Sequence, residues 1–159
     1  MFSQHCKVFV RKYSVENSAK FADIVVVGGG LVGSTLACKL AQSRWMTSKK
    51  ICLLESAPKK SKSAKFDEST PYKNRVVALN AGTKSLFESI GAWNLIPRKK
   101  PYFKMFVWDH CSPSNIEFKS SFEPVAHIIE NDLILDALDE VTDNLQGEEL
   151  MVKLKLFIM

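Results

Sequence analysis

The chain has 159 residues, 46% hydrophobic and 25% charged, with 22 lysines and arginines against 17 acidic residues for a net charge of +5. Those proportions belong to a globular domain and exclude a wholly disordered chain, and no apolar run approaches the roughly 18–20 residues that a bilayer-crossing helix needs. Cys6, Cys38, Cys52 and Cys111 form no C-x-x-C pair and no cluster with histidine, which supports neither a disulfide framework nor a metal site and suits a reducing compartment.

Residues 1–20 stand apart from the rest. Wound as a helix, they place Phe2, Cys6, Phe9, Val10 and Tyr13 on one side and Lys7, Arg11 and Lys12 on the other, with His5 near them. Glu16 is the only acid before Asp23. A basic, acid-poor, amphipathic start has the composition of a mitochondrial targeting segment, and Arg11-Lys12-Tyr13-Ser14 looks like a matrix-protease cleavage site. The alternative is a short basic tail. If the segment is for targeting, Lys7, Arg11, Lys12 and Lys20 less Glu16 account for +3 of the +5. A nucleic-acid partner then loses its electrostatic basis, and none is expected.

Asp23-Ile24-Val25-Val26-Val27 is a β-branched run of the kind buried on both faces of a parallel sheet. It leads directly into Gly28-Gly29-Gly30-Leu31-Val32-Gly33, so four of the seven glycines fall within six residues and fit G-x-G-x-x-G. A helix is predicted from Leu31 to about Ser43, with Leu31, Val32, Leu36, Ala37, Leu40 and Ala41 as its buried stripe. A second strand, Ile51-Cys52-Leu53-Leu54, ends at Glu55. In such a βαβ unit Gly28 makes the sharp turn, Gly30 leaves room for a pyrophosphate and Gly33 allows close helix–strand packing. The helix N-terminus offers unpaired N–H groups to the phosphates. Glu55 lies where a carboxylate accepts hydrogen bonds from both hydroxyls of a ribose. These spacings predict dinucleotide binding and leave open whether the dinucleotide is FAD or NAD.

Residues 57–73, with Lys59, Lys60, Lys62 and Lys65, read as a mobile basic loop. A helix is predicted from Thr83 to Ile90, closed by Gly91. Phe103–Trp108 and Ile116–Phe118 are strand-like, and Asn131-Asp132 caps a helix carrying Leu133, Leu135 and Leu138. Trp93 and Trp108 are expected in the core. His110 and His127 have no partner at metal-ligand or triad spacing, and no catalytic residue is assigned.

The glycine turn, Asn74-Arg75-Val76, Leu86 through Gly91-Ala92-Trp93, Val107-Trp108-Asp109 and Glu130-Asn131-Asp132 occur in this order. Together they resemble the flavin hydroxylases of coenzyme Q (ubiquinone) biosynthesis, within the FAD-dependent aromatic-ring monooxygenases similar to p-hydroxybenzoate hydroxylase. The resemblance implies an α/β, Rossmann-like FAD-binding fold over residues 21–159, with the start of a β-rich substrate-domain insertion. It implies FAD as cofactor, with Gly28, Gly30 and Gly33 at the pyrophosphate and Glu55 at the adenosine ribose. Arg75 would lie by the flavin phosphates or ribityl chain, and Asn131 would contact the flavin side chain. It further implies O2-dependent hydroxylation of a polyprenylated aromatic ubiquinone precursor, electrons from a ferredoxin-type donor, and work with other ubiquinone-biosynthesis proteins peripherally on the matrix side of the mitochondrial inner membrane. The family's later motifs, an Asp-Gly segment and a Gly-Asp segment, are absent, so the expectation is a truncated, N-terminal portion. As alternatives, the chain is a non-catalytic FAD-binding fragment or isoform, or an NAD-dependent dehydrogenase domain.

Overall fold

The structure, a computed structural model, describes residues 22–56, 66–67, 69–145 and, for the backbone alone, 150–154. The expected targeting segment over 1–20 and the lysine-rich stretch over 57–65 lie outside these residues.

Strand β1 (Ile24–Val27), helix α1 (Leu31–Ala41) and strand β2 (Ile51–Glu55) form the first unit. β1 and β2 run parallel in register from Ile24↔Ile51 to Val27↔Leu54, which requires a crossover connection, here supplied by α1. The C-terminal strand, Leu150–Leu154, adds to the far edge of β2, also parallel.

Two expectations about this unit hold only in part. Val26 is buried against Ala37, Ala41, Ile51 and Leu53, but Val25 is 52% and Val27 80% exposed. Among the described residues α1 covers β1 on one face only, so the valine run is half-buried rather than enclosed. The predicted stripe of α1 holds in part: Ala37 and Ala41 are buried and Leu31 and Leu40 pack half-buried on the core, but Ser34, Thr35 and Cys38 also face inward, whereas Val32 is 83% and Leu36 48% exposed. Small side chains line that face because the helix lies hard against the sheet and against a second helix.

That second helix belongs to the next unit. β3 (Val76–Leu79) is followed by α2 (Ala81–Ser89), a 3₁₀ turn (Trp93–Leu95), β4 (Lys100–Tyr102), the hairpin β5 (Lys104–Trp108) and β6 (Asn115–Lys119), β7 (Ala126–Glu130) and α3 (Asn131–Leu145). The C-terminal strand noted above is β8. β7 is the central strand of an antiparallel sheet with β3 and β4 on either side. Pro101 sits in β4 at an edge, where a missing N–H is tolerated. α2 starts two residues before the predicted Thr83 because Asn80 caps it, its side chain accepting a hydrogen bond from the Thr83 N–H at 2.9 Å. It ends where predicted, with Gly91 in the left-handed region at φ +79°.

One apolar core joins the two units. Ile134, Ala137, Leu138 and Val141 of α3 pack with Phe87, Ile90, Trp93, Ile96 and Ile129, and with Cys38 of α1. Cys38 Sγ lies 3.3 Å from Thr142 Oγ1, where α1 meets α3. The architecture is α/β, as expected. Trp93 is buried as expected, but Trp108 is 74% exposed, because the β5–β6 hairpin pairs only within itself among the described residues. No described helix is long and apolar enough to cross a membrane.

His127, on β7, meets the Trp93 ring edge-on at 5.0 Å between centroids. Its Nδ1 is enclosed with no hydrogen-bond partner among the described residues. Burial, then the nearby charges of Lys84 and Lys99, hold its pKa below the ordinary 6.5. The neutral ring is therefore the folded form, and below about pH 6.5 the unfolded chain takes up the proton first, so stability falls as pH drops. Urea unfolding of the wild-type chain from about pH 7.5 to about pH 5 should show that fall. His127→Gln should flatten it, and equal slopes in the two proteins would refute the assignment.

Candidate functional site

The turn between β1 and α1 is built almost entirely from backbone. Gly28 continues the strand ladder, its N–H donating to the Leu54 carbonyl at 2.8 Å. It then turns through φ +99°, a conformation strained for any residue with a Cβ. Gly33 lies against that turn so closely that a Cβ there would stand 1.9 Å from the Gly28 carbonyl oxygen. Gly30 behaves oppositely: a Cβ there would have nothing within 4 Å. The space in front of Gly30 is open, and α1 begins at the next residue.

That helix end is left unneutralised. Gly30 occupies the N-cap with no side-chain hydrogen bond, and the first turn of α1 contains no acidic residue. The N–H groups of the first turn have no partner within the helix and carry its partial positive charge. The arrangement can accept a phosphate group in front of Gly30. From inside, Ser34 braces the loop, its buried hydroxyl donating to the Gly29 carbonyl at 2.9 Å.

Glu55, at the end of β2, reaches back across the turn. Its Oε2 accepts from the Gly29 N–H at 2.6 Å, and a Cβ on Gly29 would come within 2.8 Å of the same oxygen. The carboxylate thus stands beside the glycine turn, at the end of the strand where a ribose acceptor was expected, while also anchoring the loop. Gly29, which the motif leaves unspecified, is small for the sake of this contact.

Arg75 and Asn131, 56 positions apart in the sequence, are adjacent in space. The Asn131 N–H donates to the Arg75 carbonyl at 3.0 Å, one step beyond the Val76↔Glu130 pair that closes the β3–β7 ladder. Asn131 is 6% exposed and is the first residue of α3; Arg75 is exposed. Leu31 of α1, Val77 of β3 and Leu133 of α3 all pack on the same core, so the glycine turn and the Arg75–Asn131 junction are built around one apolar cluster.

The sequence pattern did not announce the ion pair beside them. Glu130 is 4% exposed and takes Arg98 Nη2 at 2.8 Å and Nε at 2.9 Å on its Oε2. Its Oε1 accepts the Lys73 N–H at 2.6 Å. The end of the segment read as a mobile loop is thereby tied to β7. Only a resemblance had singled out Glu130, and no signal singled out Arg98. No group of three or more His, Cys, Asp or Glu side chains suited to a metal ion occurs among the described residues. His110 is exposed.

No protein-family model matches the chain. The chain is 41% identical over 143 residues to a Drosophila melanogaster protein named ubiquinone biosynthesis monooxygenase COQ6, mitochondrial, a match spanning 87% of this chain and 29% of that protein. The human protein of the same name is 40% identical over 131 residues, spanning 80% and 27%. The chain therefore spans less than a third of the length of these relatives. Among solved structures, the flavin-dependent monooxygenase PieE in complex with FAD and substrate shares the fold with a TM-score of 0.53 at 13% identity, over 84% of this chain and 23% of that one. So does p-nitrophenol 4-monooxygenase PnpA from Pseudomonas putida, with a TM-score of 0.52 at 18% identity, over 82% and 31%.

The two glycines of the turn should respond differently to the same added methyl group. Gly33→Ala forces a side chain into the Gly28 backbone and should lower stability by about 1–3 kcal/mol or more. Gly30→Ala, facing open space, should stay within about 1 kcal/mol of wild type. Equal effects in thermal unfolding would overturn the close contact.

Proposed function

We propose that this chain, similar to part of the ubiquinone biosynthesis monooxygenases, is the FAD-binding N-terminal portion of a flavin-dependent monooxygenase that hydroxylates the aromatic ring of a polyprenylated ubiquinone precursor. The observation that carries the reading is the glycine turn: open space before Gly30, an uncapped helix N-terminus behind it, and Glu55 at its side. Identities of about 40% to proteins named as monooxygenases support that reading over a dehydrogenase, and a fold neighbour solved in complex with FAD supports the flavin. Because the chain spans less than a third of those relatives, FAD binding is the role assigned to these residues and turnover to the longer protein.

In this reading the backbone of Gly28–Gly30 and the first turn of α1 hold the pyrophosphate. Glu55 takes the adenosine ribose hydroxyls and repels a 2′-phosphate. Arg75 brings a guanidinium fork, which suits phosphate oxygens, and Asn131 an amide that can donate to the flavin side chain. When bound there, FAD would supply the redox chemistry of an O2-dependent ring hydroxylation, with Gly28–Gly30, Glu55, Arg75 and Asn131 holding it. The electrons would come from a ferredoxin-type donor. The place of action would be the matrix side of the mitochondrial inner membrane, with the protein attached peripherally beside other ubiquinone-biosynthesis proteins.

Titration of the purified chain with FAD, followed by flavin fluorescence, tests the reading. Wild type should bind, and Gly30→Val, which puts a branched side chain where the pyrophosphate approaches, should weaken binding at least about tenfold, equivalent to about 1.4 kcal/mol. Unchanged affinity in the variant would refute the assigned loop. Binding of NADH in place of FAD would establish the dehydrogenase alternative.

A further inference from the structure

We propose that the Arg98–Glu130 ion pair is a positioning device that holds Arg75 and Asn131 in place at the flavin-binding edge. The proposal rests on the FAD reading above. It starts from an unfavourable feature, a carboxylate 4% exposed at the last position of β7. Burying a charge is costly unless it is paired and hydrogen-bonded, and even then an apolar pair of similar volume often stabilises as well or better. The pair therefore gains little as a source of stability, and its geometry shows what it does instead.

Every contact converges on the segment leading into β3. Glu130 accepts from the Lys73 N–H through one oxygen and from Arg98 through the other. Arg98 uses its remaining arm, Nη1, to donate to the Thr70 carbonyl at 3.1 Å. The face of its guanidinium lies 3.8 Å from the centre of the Tyr72 ring. Thr70, Tyr72 and Lys73 are thus held in succession. Two residues later comes Arg75, exposed and with its own carbonyl bonded to the Asn131 N–H at 3.0 Å.

An exposed side chain takes its direction from its backbone. The segment that sets the direction of Arg75 is fixed by Glu130, and Glu130 is covalently the neighbour of Asn131. One buried carboxylate therefore sets both residues relative to each other. Neither Arg98 nor Glu130 is placed in contact with the cofactor, so the effect passes through Arg75 and Asn131.

The test is a double-mutant cycle on the full chain, read as FAD affinity by fluorescence, with circular dichroism confirming the fold of each variant. Glu130→Gln should weaken FAD binding about tenfold, and Arg98→Ala similarly, while Arg98→Lys should retain more affinity than Arg98→Ala. In an Arg75→Ala/Asn131→Ala background, Glu130→Gln should cost less than about twofold further, because both of its routes to the cofactor are already cut. A purely structural role would give costs that add in full, and that result overturns the proposal. Folded Glu130→Gln with wild-type affinity overturns it as well. Should Glu130→Gln fail to fold, the Arg98→Lys and Arg98→Ala pair carries the same cycle. Absence of FAD binding by wild type would be the separate failure of the functional reading on which the proposal rests.

Discussion

A Cβ on Gly33 would stand 1.9 Å from the Gly28 carbonyl oxygen and 3.5 Å from Val26 Cγ1, and much of the first unit follows from that approach. The helix can come so near the strand only where side chains are absent or small. Hence Ala37 and Ala41 continue the inward face, with Ser34, Thr35 and Cys38 beside them. The same approach directs the N-terminus of α1 at the turn, so its unpaired N–H groups and partial charge face the open space in front of Gly30. On its other side the narrow helix can lie against α3, where Cys38 meets Thr142. A single missing side chain thus decides the packing and the electrostatics of the turn together.

The same contact explains why part of the fold was legible in the sequence and part was not. The turn, the helix start and the acid at Glu55 lie within 28 residues, and backbone geometry sets their spacing, so the pattern survives in the sequence. Hydropathy predicts only part of the α1 stripe: Leu31, Ala37, Leu40 and Ala41 do pack inward. Close approach changes the rest, leaving Val32 and Leu36 out and Ser34 and Thr35 in. The junction of Arg75 with Asn131 depends on an antiparallel pairing between distant strands, which no local periodicity encodes. Only the family resemblance singled out those two residues. Arg98 with Glu130 was harder still, since a charged residue in a sequence reads as solvated until the tertiary structure buries it.

Val25 and Val27 on the open face of the first sheet, and Phe106, Trp108, Ile116 and Phe118 on the hairpin, are exposed among the described residues. The β5–β6 pairing explains why they alternate so clearly: Met105, Val107, Ile116 and Phe118 share one face, and Lys104, Phe106, Trp108, Glu117 and Lys119 the other. Lys104 and Glu117 are 2.9 Å apart on that second face. A hairpin with one wholly apolar face is patterned to lie on a larger surface, as two strands alone are marginal in water.

The polar contacts of the candidate site have a common effect, which is to hold backbone fixed. Glu55 fixes Gly29, Ser34 fixes the carbonyl of the same residue, and Glu130 with Arg98 fixes Thr70 through Lys73. Each brace uses a side chain from a different element to hold a loop. A dinucleotide held mainly by main-chain N–H groups loses affinity for each residue that must be ordered on binding, so ordering those residues in advance strengthens binding without adding a contact. The glycines that allow close approach are also the residues with the most conformational freedom to lose. A turn rich in glycine and short of braces would offer the right shape only part of the time. On the proposed FAD reading, the carboxylates of Glu55 and Glu130 would serve binding alongside the glycines by bracing backbone, without needing to touch a phosphate.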